Sequence, residues 1–113
     1  MLPSITKKYN DHSTYRFFQF SFYCDECGAI WTSEQYSFSL RDSPPSGSGE
    51  EYAHNIVWKT EHDAAYERAN TEALFHFNLC TECGKRVCDN CFSEFHSICR
   101  RCNKTQKFNQ RKE

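Results

Sequence analysis

No stretch of about 20 apolar residues occurs anywhere in the 113-residue chain, so nothing in it reads as a membrane-spanning helix. The N-terminal run MLPSITKKYNDHSTYRFF also lacks the apolar core of about 7 to 15 residues that a secretory signal carries, and the expected setting is soluble and cytoplasmic. Basic charge is not in excess: the formal net charge is −1. If all eight cysteines are thiolates around two Zn²⁺, that value falls to about −5, which argues against nucleic acid as the first guess. No Ser/His/Asp set and no pair of carboxylates stands apart from the other polar residues, so the expectation is a protein without catalytic activity.

Also absent is any cysteine outside a Cys-x-x-Cys pair. All eight stand as Cys24/Cys27, Cys80/Cys83, Cys88/Cys91 and Cys99/Cys102. Two thiolates from one tight turn take adjacent vertices of a tetrahedron, and two such turns close a site around Zn²⁺ at about 2.3 Å per sulfur. Four pairs therefore fill two four-cysteine zinc sites with nothing left over. The competing reading is a four-disulfide secreted scaffold. In a reducing compartment, paired cysteines are metal ligands in preference to disulfides, and four pairs of identical spacing are unusual for a disulfide framework.

What there is in abundance is aromatic side chain, 16% of the sequence, and any apolar core must be built mainly from it. Residues 1–13 read as a polar N-terminal arm. Tyr15 to Tyr23 alternates, with Phe18, Phe20 and Phe22 on one face, which predicts a strand running into the knuckle CDECG. Gly28 supplies the positive φ that the turn after the second cysteine requires. Alternation returns over Ala29 to Trp31 and Gln35 to Arg41, placing the knuckle between antiparallel strands.

The segment 42–49, DSPPSGSG, predicts a flexible loop. A helical insert follows over 50–78. Ser48 with Glu51 and Thr60 with Asp63 both have capping-box spacing, so one helix or two joined near Lys59 remain open. Ala65, Ala69, Ala73 and Phe77 recur every four residues and predict a small-residue stripe packed on something flat. Such a stripe serves a homodimer as well as an intramolecular sheet.

Between Cys83 and Cys88 lie only four residues, too few for a comfortable return to the same metal but enough to span roughly 15 Å to another. This favours a crossed arrangement, Cys24, Cys27, Cys88 and Cys91 on one zinc and Cys80, Cys83, Cys99 and Cys102 on the second. Sequential pairing, as in tandem zinc ribbons, stays open. The fold class expected is a small α+β zinc-binding domain over 14–103, with two four-cysteine sites, short β-hairpins and one long helix.

The run CTECGKRVCDNC resembles the central part of FYVE-type and RING-like treble-clef zinc fingers, in which alternating cysteine pairs bind two zincs. The resemblance covers residues 80–102 and the first knuckle. FYVE domains carry a W-x-x-D before the first pair and a basic RRHHCR-like run before the second; here those positions read QFSFYC and FHFNLC, so lipid recognition does not carry over. Most RING domains have a histidine ligand that is missing here, and 52 residues separate the first two pairs, so ligase activity does not carry over either. The helix EHDAAYERANTEALFHF leading into C-x-x-C-G-x-x-V-C-D-x-C also resembles small bacterial double-zinc-ribbon proteins of undefined role.

Eight cysteines already satisfy two metals, so His12, His54, His62, His76 and His96 are expected as packing residues, and Trp31 and Trp58 as core filling. The last third is locally basic, with Lys85, Arg86, Arg100, Arg101, Lys104, Lys107, Arg111 and Lys112 against Glu82, Asp89, Glu94 and Glu113. Compensation of thiolate-rich zinc explains such a cluster. The alternative is a nucleic-acid-binding surface built on Lys85, Arg86, Arg100, Arg101, Lys104 and Lys107. Residues 104–113, without apolar period, read as a disordered basic tail. The function expected is a zinc-stabilised scaffold whose partner is another protein.

Overall fold

The computed structural model describes residues 3–103. It is a small α+β arrangement of one long helix and nine short strands, every pair antiparallel. The strands are β1 (Tyr9–Asp11), β2 (Phe17–Phe18), β3 (Phe20–Tyr23), β4 (Ile30–Thr32) and β5 (Tyr36–Ser37) before the helix α1 (Ser48–Ala73). After it come β6 (Asn78–Leu79), β7 (Arg86–Val87), a 3₁₀ turn (Asp89–Cys91), β8 (Phe92–Ser93) and β9 (Ile98–Cys99). One sheet has three strands in the order β1-β3-β4; β2-β5, β6-β7 and β8-β9 are two-stranded.

The alternation over Tyr15 to Tyr23 does put Phe18, Phe20 and Phe22 inside, each at most 1% exposed. The run is nevertheless two strands. It breaks at Gln19, because Phe18 pairs with Tyr36 of β5 whereas Ser21 pairs with Thr32 of β4. Ser33 holds the change of partner in place. Its buried hydroxyl accepts the Phe20 N–H at 3.0 Å and donates to the Glu34 carbonyl at 3.0 Å.

Residues 9–11, read from sequence as part of a polar arm, form β1 instead, pairing Tyr9 with Phe22 and Asp11 with Phe20. One ring is the anchor. Tyr9 lies 5.3 Å from Tyr66 and 6.1 Å from Phe22 between ring centroids. Before it, the Ile5 N–H donates to Asn70 Oδ1 at 2.9 Å, and Asn70 Nδ2 donates to the Pro3 carbonyl at 3.0 Å. Polarity concealed the contacts of Pro3 and Ile5, since both rely on Asn70 of the helix, 67 and 65 residues away in sequence.

The helix is continuous. The Thr60 hydroxyl, a possible cap, donates back to the Ile56 carbonyl at 2.8 Å as a mid-helix residue does. At the start, the expected Ser48/Glu51 box is not formed. The Ser46 N–H and hydroxyl both donate to the Glu50 carboxylate, so the helix begins inside the expected 42–49 loop. It ends at Ala73, short of residue 78, where the Leu74, Phe75 and His76 N–H groups donate to carbonyls three residues back. The chain then turns into β6.

Ala65, Ala69 and Ala73 are buried, and with no bulk beyond Cβ they let α1 approach β2 and β3 closely. Tyr66 fills the space beside them, edge-on to Phe20 at 5.4 Å. The alanine stripe is thus covered within the chain. Toward the other end of α1, Trp58 packs on Phe18 at 5.3 Å and His54 on Phe38 at 5.3 Å.

Candidate metal centres

Each of the first two cysteine pairs is made by a strand-turn-strand unit with the same hydrogen bonds. After β3, the Cys24 N–H donates to the Ala29 carbonyl at 2.8 Å and the Gly28 N–H to the Cys24 carbonyl at 3.0 Å. After β6, the Cys80 N–H donates to the Lys85 carbonyl at 2.9 Å and the Gly84 N–H to the Cys80 carbonyl at 2.9 Å. Gly28 and Gly84 close these turns at φ +79° and +75°, in the left-handed region that other residues enter at a cost. Cys88 and Cys91 bracket the 3₁₀ turn, and Cys99 ends β9 with residues 100–103 helical behind it.

The eight thiols gather into two groups: Cys24, Cys27, Cys88 and Cys91, and Cys80, Cys83, Cys99 and Cys102. Within each group all four sulfurs lie within 4.8 Å of one another. The order is crossed, since the first pair meets the third across 61 residues and the second meets the fourth across 16. Two sulfur separations have a bearing on the occupant. Cys27 and Cys88 are 3.6 Å apart and Cys83 and Cys99 are 3.8 Å apart, close to the edge of a tetrahedron with metal–sulfur bonds of about 2.3 Å, which is about 3.8 Å. All eight cysteines are free of disulfides. The residues fit two thiophilic ions in four-cysteine sites.

The backbone prepares one sulfur in each group for negative charge. Burial opposes ionisation of Cys24, but the N–H groups of Cys27, Cys88 and Glu26 point at its sulfur and bring the thiol down to about 7. Cys80 is likewise opposed by burial and brought down to about 6 by the N–H groups of Cys83, Cys99 and Glu82. The crowded neighbours go the other way. Burial, then the adjoining sulfurs, push Cys91 up, and the Cys99 sulfur followed by burial does the same to Cys102. Four thiolates packed together need a cation.

Asp25 ties the groups to each other, a role with no local sequence signal. Its Oδ1 accepts the Lys7 N–H and its Oδ2 the Arg86 N–H, both at 2.8 Å, while its own N–H donates to the Arg86 carbonyl at 2.9 Å. The first knuckle is thereby clipped to β7, the link between the second and third pairs. Beside it, Lys85 Nζ donates to Glu26 Oε2 at 3.0 Å.

Of the basic cluster, Lys85 is therefore an ion-pair partner and Arg86 a half-buried strand residue, while Arg100 and Arg101 are exposed. Lys104, Lys107 and the expected tail over 104–113 lie outside the described residues. Neither cysteine group includes a histidine. His62 is held by Asp11 at 2.6 Å and stacked on Trp58; His54 bonds the Tyr15 hydroxyl at 2.7 Å; His76 stacks on Trp31 at 4.4 Å.

Comparison with known proteins adds one short match. The family model of the Syntaxin-5 N-terminal, Sly1p-binding domain matches residues 93–105, the segment from β8 through Cys99 and Cys102. Thirteen residues of 113 do not show membership of that family. No curated protein and no solved structure matches the chain. Among the described residues, no helix is long and apolar enough to cross a membrane.

Proposed function

We propose that the chain is a zinc-stabilised protein-interaction module, with two structural Zn²⁺ in the crossed manner of treble-clef fingers and no catalytic role. The observation that carries this is the composition of the two sulfur groups. Each offers four thiol ligands at near-tetrahedral separation, which fills the coordination of Zn²⁺ and leaves no position for water or substrate. A closed site of this kind supplies folding free energy, on the order of 10 kcal/mol in small zinc domains. What such a scaffold presents is surface, and here the exposed apolar side chains include Ile30, Phe75 and Phe95.

Metal analysis tests the reading directly: two Zn²⁺ per chain are expected, and fewer than about 1.5 would end it. The basic third is charge compensation on this reading. Replacing Lys104, Lys107, Arg111 and Lys112 by Ala should then leave folding and partner binding nearly unchanged. Binding of RNA or DNA at physiological salt that disappears in the quadruple variant would transfer the function to nucleic acid.

A further inference from the structure

The sheet β1-β3-β4 has two edges, and they are built differently. Along β1 the chain reads Lys7, Lys8, Tyr9, Asn10, Asp11, His12, and a charged residue along an edge discourages another strand from pairing there. Along β4 it reads Ala29, Ile30, Trp31, Thr32, Ser33, with no charge, no proline and two β-branched residues.

Hydrogen bonding says which backbone groups face outward. The Cys24 N–H reaches the Ala29 carbonyl and the Ser33 N–H reaches the Phe20 carbonyl, both at 2.8 Å, with Trp31 opposite Phe22 between them. In an antiparallel ladder alternate residues face the same partner, so 29, 31 and 33 face β3. Ile30 and Thr32 direct their N–H and C=O groups away from the sheet, where the described residues provide no partner. Ile30 is also 62% exposed.

Beside this edge lies a groove of about 390 Å³ lined by Ile30, Trp31, His76, Phe77, Cys88 and Asp89, among others. Trp31, His76 and Phe77 make its lining aromatic, and Asp89, whose Oδ1 accepts from Asn78 Nδ2 at 2.8 Å, follows Cys88 of the first sulfur group. At the other end of β4 stands Glu34. With Zn²⁺ bound, four thiolates leave that group at about −2. The Glu34 carboxylate pairs with Arg68 at 3.5 Å, so only the zinc end of the edge is acidic.

We propose that the free edge of β4 takes an extended peptide as an added antiparallel strand, one with an apolar side chain for the groove and a Lys or Arg beside it, toward Asp89 and the first sulfur group. The inference rests on the reading of the chain as a protein-interaction module and names the partner class. The outward N–H and C=O groups of Ile30 and Thr32 supply main-chain bonds, and alternate side chains of the guest reach the groove, as in other cases of strand addition. A second copy of this chain is the poorer occupant. Its own edge strand, Ala29 to Ser33, brings no Lys or Arg to set against Asp89.

The experiment selects binders for the zinc-loaded full chain from a displayed library of random octapeptides. Peptides with an apolar residue followed or preceded by Lys or Arg are expected, and their binding should slow amide exchange at Ile30 and Thr32 by roughly tenfold or more. Ile30→Pro removes an outward N–H without touching the ladder to β3, a position where an edge strand tolerates proline. It should weaken binding roughly tenfold while both zincs stay bound. Should that variant lose zinc, Ile30→Lys, which keeps the backbone and adds a repelling charge, is used in its place. Asp89→Asn should weaken binding severalfold, and less so at high salt.

No enrichment from the library overturns the proposal, as do binders that survive both Ile30 variants. Concentration-dependent dimers abolished by Ile30→Lys overturn it in favour of a second copy. In each of these cases a chain that still holds two zincs leaves the module reading standing. A chain that holds none takes both down.

Discussion

The half of the molecule around α1 and the half around the last three cysteine pairs are stabilised by different means. In the first, Phe18, Phe20, Phe22, Phe38, Tyr66 and three alanines of α1 are buried together, a core of ordinary kind. In the second, residues 78–103 contribute Val87, Ile98 and the cysteines Cys80 and Cys99 to the buried set, and the strands are two residues long. Strands so short cannot hold themselves, and isolated hairpins are marginal in water even when longer. The comparison teaches where the metal matters. Burial shapes the first half, and on the proposed reading sulfur coordination shapes the second.

The most severe way to break that division is to remove the metal. Under a strong chelator, the amide and methyl signals of Val87 and Ile98 should collapse to unfolded positions, while the ellipticity of α1 falls by a smaller fraction. Equal loss in both halves would show that the aromatic core cannot stand alone. Next in size is Phe20→Ala. Emptying a fully buried ring site costs about 3–5 kcal/mol, and the loss should appear as a lower melting temperature with zinc stoichiometry unchanged below it.

Cys24→Ser sharpens the comparison from the metal side. It should release the ion shared with Cys27, Cys88 and Cys91 and spare the second group, read as one Zn²⁺ per chain and shifted Cβ resonances for Cys27, Cys88 and Cys91 but not for Cys80, Cys83, Cys99 and Cys102. If Cys80 and Cys83 move with it, the groups are paired sequentially and the crossed order is wrong. Asp25→Ala probes the clip between the halves. Two backbone N–H groups, of Lys7 and Arg86, lose their acceptor at a cost of about 1–2 kcal/mol, with faster exchange at both amides.

The smallest effect expected is on pH. Asp11 is partly buried, which opposes ionisation, but bonds from Ser13 and His62 outweigh this and hold its carboxyl below the usual value. A depressed pKa stabilises the fold above the unfolded value near 3.9 and loses that contribution as pH falls through the folded one. Asp11→Asn should therefore flatten the acid limb of the stability curve slightly, as measured by thermal melts between pH 5 and 3.

Several parts of this arrangement were legible along the chain. Alternation placed Phe18, Phe20 and Phe22 on one face, and a four-residue period placed Ala65, Ala69 and Ala73 on another; both are inside. Glycine after the second cysteine marked Gly28 as a left-handed turn. The helix ends were less legible, because Ser46 rather than Ser48 meets the first turn and because His76, just past the end of α1, stacks on the distant Trp31 of β4. Asp25 and Asn70 gave no warning at all. An aspartate inside a knuckle and an asparagine on a helix are common, and only their distant partners, Lys7 with Arg86 and Pro3 with Ile5, make them structural.

By itself the sequence determined which side chains could bind metal, since eight cysteines at one spacing are a local property of four turns. It determined too which faces of the strands and the helix are apolar, because periods of 2 and 3.6 follow from backbone geometry. The short Cys83–Cys88 link favoured the crossed pairing, but that it holds over the sequential one, and that residues 9–11 complete a sheet, the tertiary structure decided. The pairs of β1 with β3 join residues 9 to 13 positions apart and the first sulfur group joins Cys27 to Cys88 across 61, and periodicity within one segment does not say which other segment it will meet.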